Sequence, residues 1–542
     1  MKKQTKLFTT LSAAALLTIG VSAVSMAAGW DNSTGVWKYL NNDGTEVTDS
    51  WKSANGNWFY LDSNGEMATN QLIEDNNNSK TRYYYVDQYG AMVTNTWKAV
   101  AMDSDDDLQA EYWWYYFGSD GKAYTSEDDL TTSEIKTING LKYAFDSEGH
   151  MLYGWINKDN VEQQDSDDTA WETSTYYFNG WNDGHMQTGW IQLSVEDDDD
   201  TENYWFWFSS EGKKKESARK KINGNYYHFA DDGHMLTDWA VGTESVEDAG
   251  GATASSLSFL NGDGAERKNK WVWAVPDEDY LEDDYNDDEY SWWYFGKNGK
   301  LTADTVKKIN GKKYAFDQYG RMLVQFVEYN GSSVINYGDA SDWTREEWIA
   351  GTNNDKYTRA SDDYSVYYFS NNEEKDGAMK KGYVTLELDD ASYQFYFNTS
   401  NGKGESGYVS KIKKYCKDGL VMAPTSDDDS NYAAVVLSGD DVTGIVFGSN
   451  TVGLKLVNNA GTVVKNKKKL KDNNDGYYVV SKDGIVLAYY ASEDDYNDAI
   501  TYTPSGSSST KKLTISSDWL ASGATPASYE SALAAALAKA EA

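Results

Sequence analysis

Apolar and polar residues alternate along this chain in short bursts divided by glycine-bearing turns. Trp58-Phe59-Tyr60-Leu61 is one such burst. Strand geometry sends successive side chains to opposite faces, so Trp58 and Tyr60 share one face while Phe59 and Leu61 share the other. Elsewhere Ile138-Asn139-Gly140, Ile222-Asn223-Gly224 and Ile309-Asn310-Gly311 each join two β-rich runs. Asn-Gly at that position is the strongest short-range hairpin signal, because the two-residue turn requires positive φ. The pattern therefore predicts β-hairpins. A helical spacing stands out near the end, where Thr525-Pro526 can cap and start a helix carrying Tyr529, Leu533 and Leu537 four residues apart.

The hairpins repeat. A Trp strand, a polar turn, an aromatic strand and a Gly-x-Met turn follow one another. Examples are Asn182-Asp183-Gly184-His185-Met186-Gln187-Thr188-Gly189-Trp190 and Asp231-Asp232-Gly233-His234-Met235-Leu236-Thr237-Asp238-Trp239. One isolated hairpin is marginal in water, and these have two greasy faces. Stacking hairpins end to end hides both, so the expected fold is an all-β solenoid of tandem hairpins with a short C-terminal helix. Long units place acidic runs between the two strands, at 196–200, at 277–290 and at 103–107. Loop closure grows slowly with length, so these runs are expected at hairpin tips. After Tyr408 the tryptophans vanish from the pattern. The expected organisation is a leader over 1–28, tandem repeats over 29–410, degenerate repeats over 411–490, a Ser-rich linker over 491–524 and a helix over 525–542.

Composition narrows the function. The chain has 542 residues with 21 Trp, 42 Tyr and 16 Phe, an aromatic load that argues against disorder. Acids outnumber bases 86 to 49, giving a net charge of −37 that disfavours nucleic acid and anionic membrane surfaces as partners. Lys2, Lys3 and Lys6 precede an apolar run over 7–24 and the small residues Ser25-Met26-Ala27-Ala28, the pattern of a secretory signal peptide. No later stretch is apolar enough for a membrane span. A secreted protein retained at a surface would then hold on non-covalently.

These elements resemble the choline-binding and glucan-binding cell-wall repeats of Gram-positive bacteria. The likeness covers roughly residues 29–410 and extends weakly to 490. It implies a superhelix of hairpins with ligand clefts between neighbours, lined by Trp, Tyr and Met. Carried over, the Gly-Trp position falls on Trp155 and Trp190, with Trp97 and Trp239 preceded by other residues. The first aromatic of the second strand falls on Trp58, Trp114, Trp205 and Trp292, and the following tyrosine on Tyr60, Tyr116, Tyr177 and Tyr294. The turn methionine falls on Met67, Met92, Met151, Met186, Met235 and Met322. Lys142 and Lys313 depart from the pattern by replacing the tryptophan. The implied partner is choline-bearing teichoic acid or an extracellular glucan, with no cofactor and no metal.

Catalysis has few candidates. His150, His185 and His234 occupy one repeat slot, and His228 stands where Tyr60 stands elsewhere, so they form no constellation. Cys416 is the single cysteine, which rules out an internal disulfide; its lysine neighbours would favour a lowered pKa. The expectation is a non-enzymatic binding protein at the cell wall. The alternatives are a surface adhesin or structural protein, and a wall hydrolase with its catalytic region in 410–542.

Overall fold

The computed structural model describes residues 28–542 except 77–79, 103–110, 128, 132, 164–168, 198–199, 337–339, 354–356, 360–362 and 371–375. Nearly all of the leader and the whole acidic run at 103–107 lie outside the described residues. The fold is mostly strand with few helices, and the sheets are small and antiparallel. The chain divides into two units, one holding residues up to Thr237 and the other most of the remainder.

In the first unit, two-stranded hairpins follow one another: Ser50–Ala54 with Asn57–Leu61, Gln71–Asp75 with Arg82–Val86, Thr96–Ala101 with Tyr112–Phe117, and so on to Ala218–Ile222 with Asn225–Phe229. At Asn139-Gly140 and Asn223-Gly224 both turn residues have positive φ, as the two-residue turn demands. After each second strand the chain turns back, and the methionine-slot residue bridges to a residue at or just past the strand's end: Leu61 with Met67, Val86 with Met92, Phe145 with Met151.

Successive hairpins are joined through that same slot. Its backbone N–H donates to a carbonyl of the preceding hairpin's second strand: Met67 to Trp37 (2.8 Å), Met92 to Trp58 (2.8 Å), Met151 to Trp114 (2.7 Å) and Met235 to Trp205 (2.8 Å). The methionine side chain then lies beneath the turn glycine of the next repeat. A Cβ on Gly121, whose φ is +80°, would stand 2.5 Å from Sδ of Met92; Gly90 meets Met67 at 2.8 Å in the same way. Glycine is needed there both for its φ and for the missing side chain.

The second unit begins with hairpins of the same kind, Asp238–Val241 with Leu257–Leu260 and Lys270–Ala274 with Ser291–Phe295. From Gln325 onward the pattern changes, and the expectation of plain tandem hairpins to 410 is corrected. Gln325–Tyr329 pairs with both Val334–Asn336 and Ser365–Phe369. Between them stands the helix Arg345–Ala350, opened by a reciprocal cap of Thr344 and Glu347. Residues 382–421 form one five-stranded sheet. These elements share a core built on Trp343, Trp348, Phe326, Phe395 and Phe397. A three-residue hairpin face is too small to bury such a set, and merging the sheets supplies the area.

The acidic inserts take two forms. Gly189–Asp197 and Asp200–Phe208 continue as paired strands out to the tip, with Glu196 opposite Thr201, so that insert lengthens the hairpin. The insert at 277–290 instead contains a short helix, Glu282–Asn286. Residues 491–524 are not a linker. They contain the helix Glu493–Ile500 and bury Tyr496, Ile500, Ile515 and Leu520 against Tyr477 and Leu487. The terminal helix, Pro526–Glu541, lays Tyr529 and Leu533 on that cluster, and Ser528 N–H donates to its Thr525 cap. Among the described residues no helix is long and apolar enough to cross a membrane.

The glycine–methionine fit predicts that Gly121→Ala costs about 2 kcal/mol, from positive φ and overpacking together. Loss of amide protection across the Thr96–Ala101 hairpin in hydrogen exchange measures it. Adding Met92→Ala should recover roughly half, because it removes the clash and leaves the φ strain.

Candidate functional site

Antiparallel register puts two tryptophans of one hairpin on a common face. Trp97 pairs with Tyr116, and Trp114, two positions earlier on the second strand, is its diagonal neighbour. The rings meet edge to face with centroids 6.5 Å apart and planes at 82°. The same pair recurs as Trp190 with Trp205 (6.4 Å, 82°), Trp271 with Trp292 (6.3 Å, 84°) and Trp30 with Trp37 (6.4 Å, 79°).

A third ring comes from the following hairpin. Tyr143 stands 4.9 Å from Trp97, Tyr227 4.9 Å from Trp190, Tyr314 4.9 Å from Trp271 and Tyr84 5.0 Å from Trp51, while Phe59 takes this place 5.4 Å from Trp30. The slot methionine completes the wall: Met151 clusters with Trp97, Trp114 and Tyr143, Met235 with Trp190 and Tyr227, Met322 with Trp271 and Tyr314, and Met92 with Trp51 and Tyr84. One side remains open to solvent, where Trp58 is 47% and Trp205 42% exposed. Three π faces and a thioether in a half-open cleft suit a desolvated cation, or the C–H face of a sugar.

The structure thus brings together Trp97 with Trp114, Trp190 with Trp205, and Trp292 with Trp271. Trp58 and Met67 line neighbouring junctions, whereas Tyr60, Tyr116 and Tyr294 form a floor behind the first-strand tryptophan, within 5.1–5.2 Å of it. Two expectations are corrected. Met186 packs with Leu130, Leu152, Ile156, Tyr176 and Phe178, a cluster without tryptophan, because Lys142 stands where the second tryptophan would be. Trp239 is 6% exposed, packed on Phe259 and Trp293, and its indole N–H is spent on Val275 O at 3.0 Å. Trp155 and Tyr177 pack together at 4.9 Å, and a lysine fills their junction. Sequence reasoning missed Trp30, Trp51 and Trp271 and the closing tyrosines Tyr84, Tyr143, Tyr227 and Tyr314. The signal was available: each of those tyrosines precedes by two the buried Val86, Phe145, Phe229 or Phe316.

His150, His185 and His234 are turn fittings, while His228 is buried in the strand Asn225–Phe229. His150 stacks on Trp113 at 4.0 Å and lies 2.8 Å from Asp146, and His234 stacks on Tyr204 at 4.6 Å beside Asp232. Cys416 is buried in a strand opposite Gly407, packed with Tyr396 and Val421. Burial outweighs the opposing pull of Lys414 and pushes its thiol up to about 12, the reverse of the direction its lysine neighbours suggested.

Hairpins tied through one slot, with a recurring aromatic cleft at the tie, define a tandem-hairpin repeat protein. Residues 27–71 and 47–97 match the choline-binding repeat family, and residues 114–123 and 220–235 match the putative cell wall binding repeat. These segments of the chain are thus similar to choline-binding and cell-wall-binding repeats. Glucosyltransferase-S of Streptococcus mutans is 24% identical over 232 residues, which are 42% of this chain and 13% of that protein, so the chain spans about an eighth of its length. Among solved structures, CbpJ of Streptococcus pneumoniae aligns with 57% of this chain and 98% of its own at 20% identity and a TM-score of 0.35. Choline binding protein F of the same organism aligns with 55% of this chain and 93% of its own at 19% identity and a TM-score of 0.32.

Because the thiolate is the reactive form, native Cys416 is expected to resist iodoacetamide at pH 8, where an unperturbed thiol labels readily. Mass spectrometry after labelling, with and without urea, checks it: label appears only on unfolding.

Proposed function

We propose that this protein is a secreted binding protein that attaches to a cell wall or extracellular polymer through the aromatic clefts, its hairpins stacking as a solenoid within each unit. One observation carries the reading: the edge-to-face tryptophan pair, closed by an aromatic ring from the next hairpin and by methionine, recurs with nearly constant geometry. Packing alone would not require the same open side each time. The ligand class that fits best is a quaternary ammonium, as on choline-bearing teichoic acid. Ring quadrupoles attract it, and the net charge of −37 favours a cation. The binding residues are Trp97 and Trp114 with Tyr143 and Met151, Trp190 and Trp205 with Tyr227 and Met235, Trp271 and Trp292 with Tyr314 and Met322, and Trp51 and Trp58 with Tyr84 and Met92. Met67 serves the Trp30 junction.

Three rings at about 0.5–2 kcal/mol each put a single cleft in roughly the millimolar range. Firm attachment then comes from many clefts acting on one polymer. A glucan is the second reading, supported by the glucosyltransferase relative and by half-exposed Trp58 and Trp205, on which a sugar face can stack.

Titrating the protein with choline while following Trp fluorescence tests the reading. Saturable change is expected, with Trp190→Ala and Trp205→Ala each removing one site and weakening retention on choline-bearing matrix. Saturation by isomalto-oligosaccharides without choline competition would move the assignment to the glucan. Absence of both would end it.

A further inference from the structure

The Trp155 junction differs from the others in what fills it. Trp155 has the expected neighbours, Tyr177 at 4.9 Å and Phe206 at 5.1 Å. The second-strand tryptophan is replaced by Thr175, and a ring arrives by another route: Trp171, on the short helix Ala170–Thr173, packs on Phe206 at 6.1 Å. The methionine slot holds Lys214. Its backbone behaves as the methionines do, bridging Phe208 and donating to Thr175 O at 2.8 Å, and its stem lies under the next turn glycine, Gly233.

The ammonium group is wholly enclosed. Nζ sits over the Trp155 ring, 5.5 Å from its centroid, and donates to Trp171 O and to Glu172 O, the latter at 3.0 Å. Oε1 of Glu216 is 3.3 Å away. A buried ammonium without partners would be costly, and here an aromatic face, two carbonyls and a carboxylate receive it. Burial lowers its pKa while Glu216 opposes that shift. A neutral methionine would satisfy the hydrophobic slot without any of these acceptors. Their presence marks a position built for positive charge.

We infer that Lys214 is an internal ligand: its ammonium fills a cation site at the Trp155 junction, a site that accepts an alkylammonium ion once the lysine side chain is removed. The inference rests on reading the clefts as cation sites, and it means that this junction is closed to outside ligand in the native protein. Truncation leaves the Trp155 face, the Trp171 and Glu172 carbonyls and Glu216 facing a space the shape of propylammonium.

The test is chemical rescue. Lys214→Ala in the full chain is expected to unfold at lower temperature than the parent, and n-propylammonium chloride should restore several degrees more to it than to the parent. 1-Propanol, of the same shape without charge, should restore at most a fifth as much at equal concentration. Lys214→Met, which copies the side chain of sister slots, should show no such gain. Equal rescue by propanol, or no gain over the parent, overturns the inference. Should Lys214→Ala not fold in buffer, refolding yield with propylammonium against propanol decides it in the same sense. Choline titration of the parent protein judges the cleft reading separately, since only the difference between variant and parent bears on Lys214.

Discussion

One backbone hydrogen bond and one absent side chain hold this architecture together. A two-stranded hairpin cannot hide two apolar faces, so each must find its neighbour at a fixed distance. The slot residue's N–H, donated to the preceding strand at 2.7–2.8 Å, sets that distance. The turn glycine of the following repeat then admits the slot side chain beneath it. Trp strand, aromatic strand and turn are spaced by this tie. The cleft forms at the tie, where the first-strand indole of one hairpin meets the tyrosine of the next.

The same geometry explains why junctions diverge in use while agreeing in fold. The tie uses main-chain atoms, so it survives replacement of methionine by Lys214 or Ala123 in the slot. What the cleft accepts depends only on side chains. Lys142 in place of a tryptophan gives Met186 a surrounding without tryptophan, and Trp239 turns inward with its N–H satisfied. Fold and cleft lining are therefore separable at each repeat, so open, filled and closed junctions occur in one chain.

The hairpins were legible because their signal is local. Asn-Gly turns and period-two alternation lie within a dozen residues, and the terminal helix announced itself through Thr525-Pro526 and Tyr529. The clefts were half legible. Trp97 and Trp114 belong to one hairpin and were found, whereas the ring that closes them, Tyr143, lies on the next, across a turn that hides the register. Residues 325–421 were misread since long-range pairing of Gln325–Tyr329 with Ser365–Phe369 leaves no periodic trace. The segment at 491–524 failed for a related reason: its serines suggested a linker, while Tyr496, Ile500, Ile515 and Leu520 are too widely spaced to read as one face.

Lys214 shows how far charge can enter such a stack. Its ammonium is enclosed over the Trp155 ring beside the Trp171 and Glu172 carbonyls, where an unpaired ammonium would cost several kcal/mol. The chain offsets that cost with acceptors from the helix Ala170–Thr173, an element with no counterpart in the short repeats. A helix inserted at one hairpin tip thus supplies both the ring that the strand lost and the carbonyls that the lysine needs. Lysine and helix thus act together at this junction, the helix carbonyls receiving the ammonium.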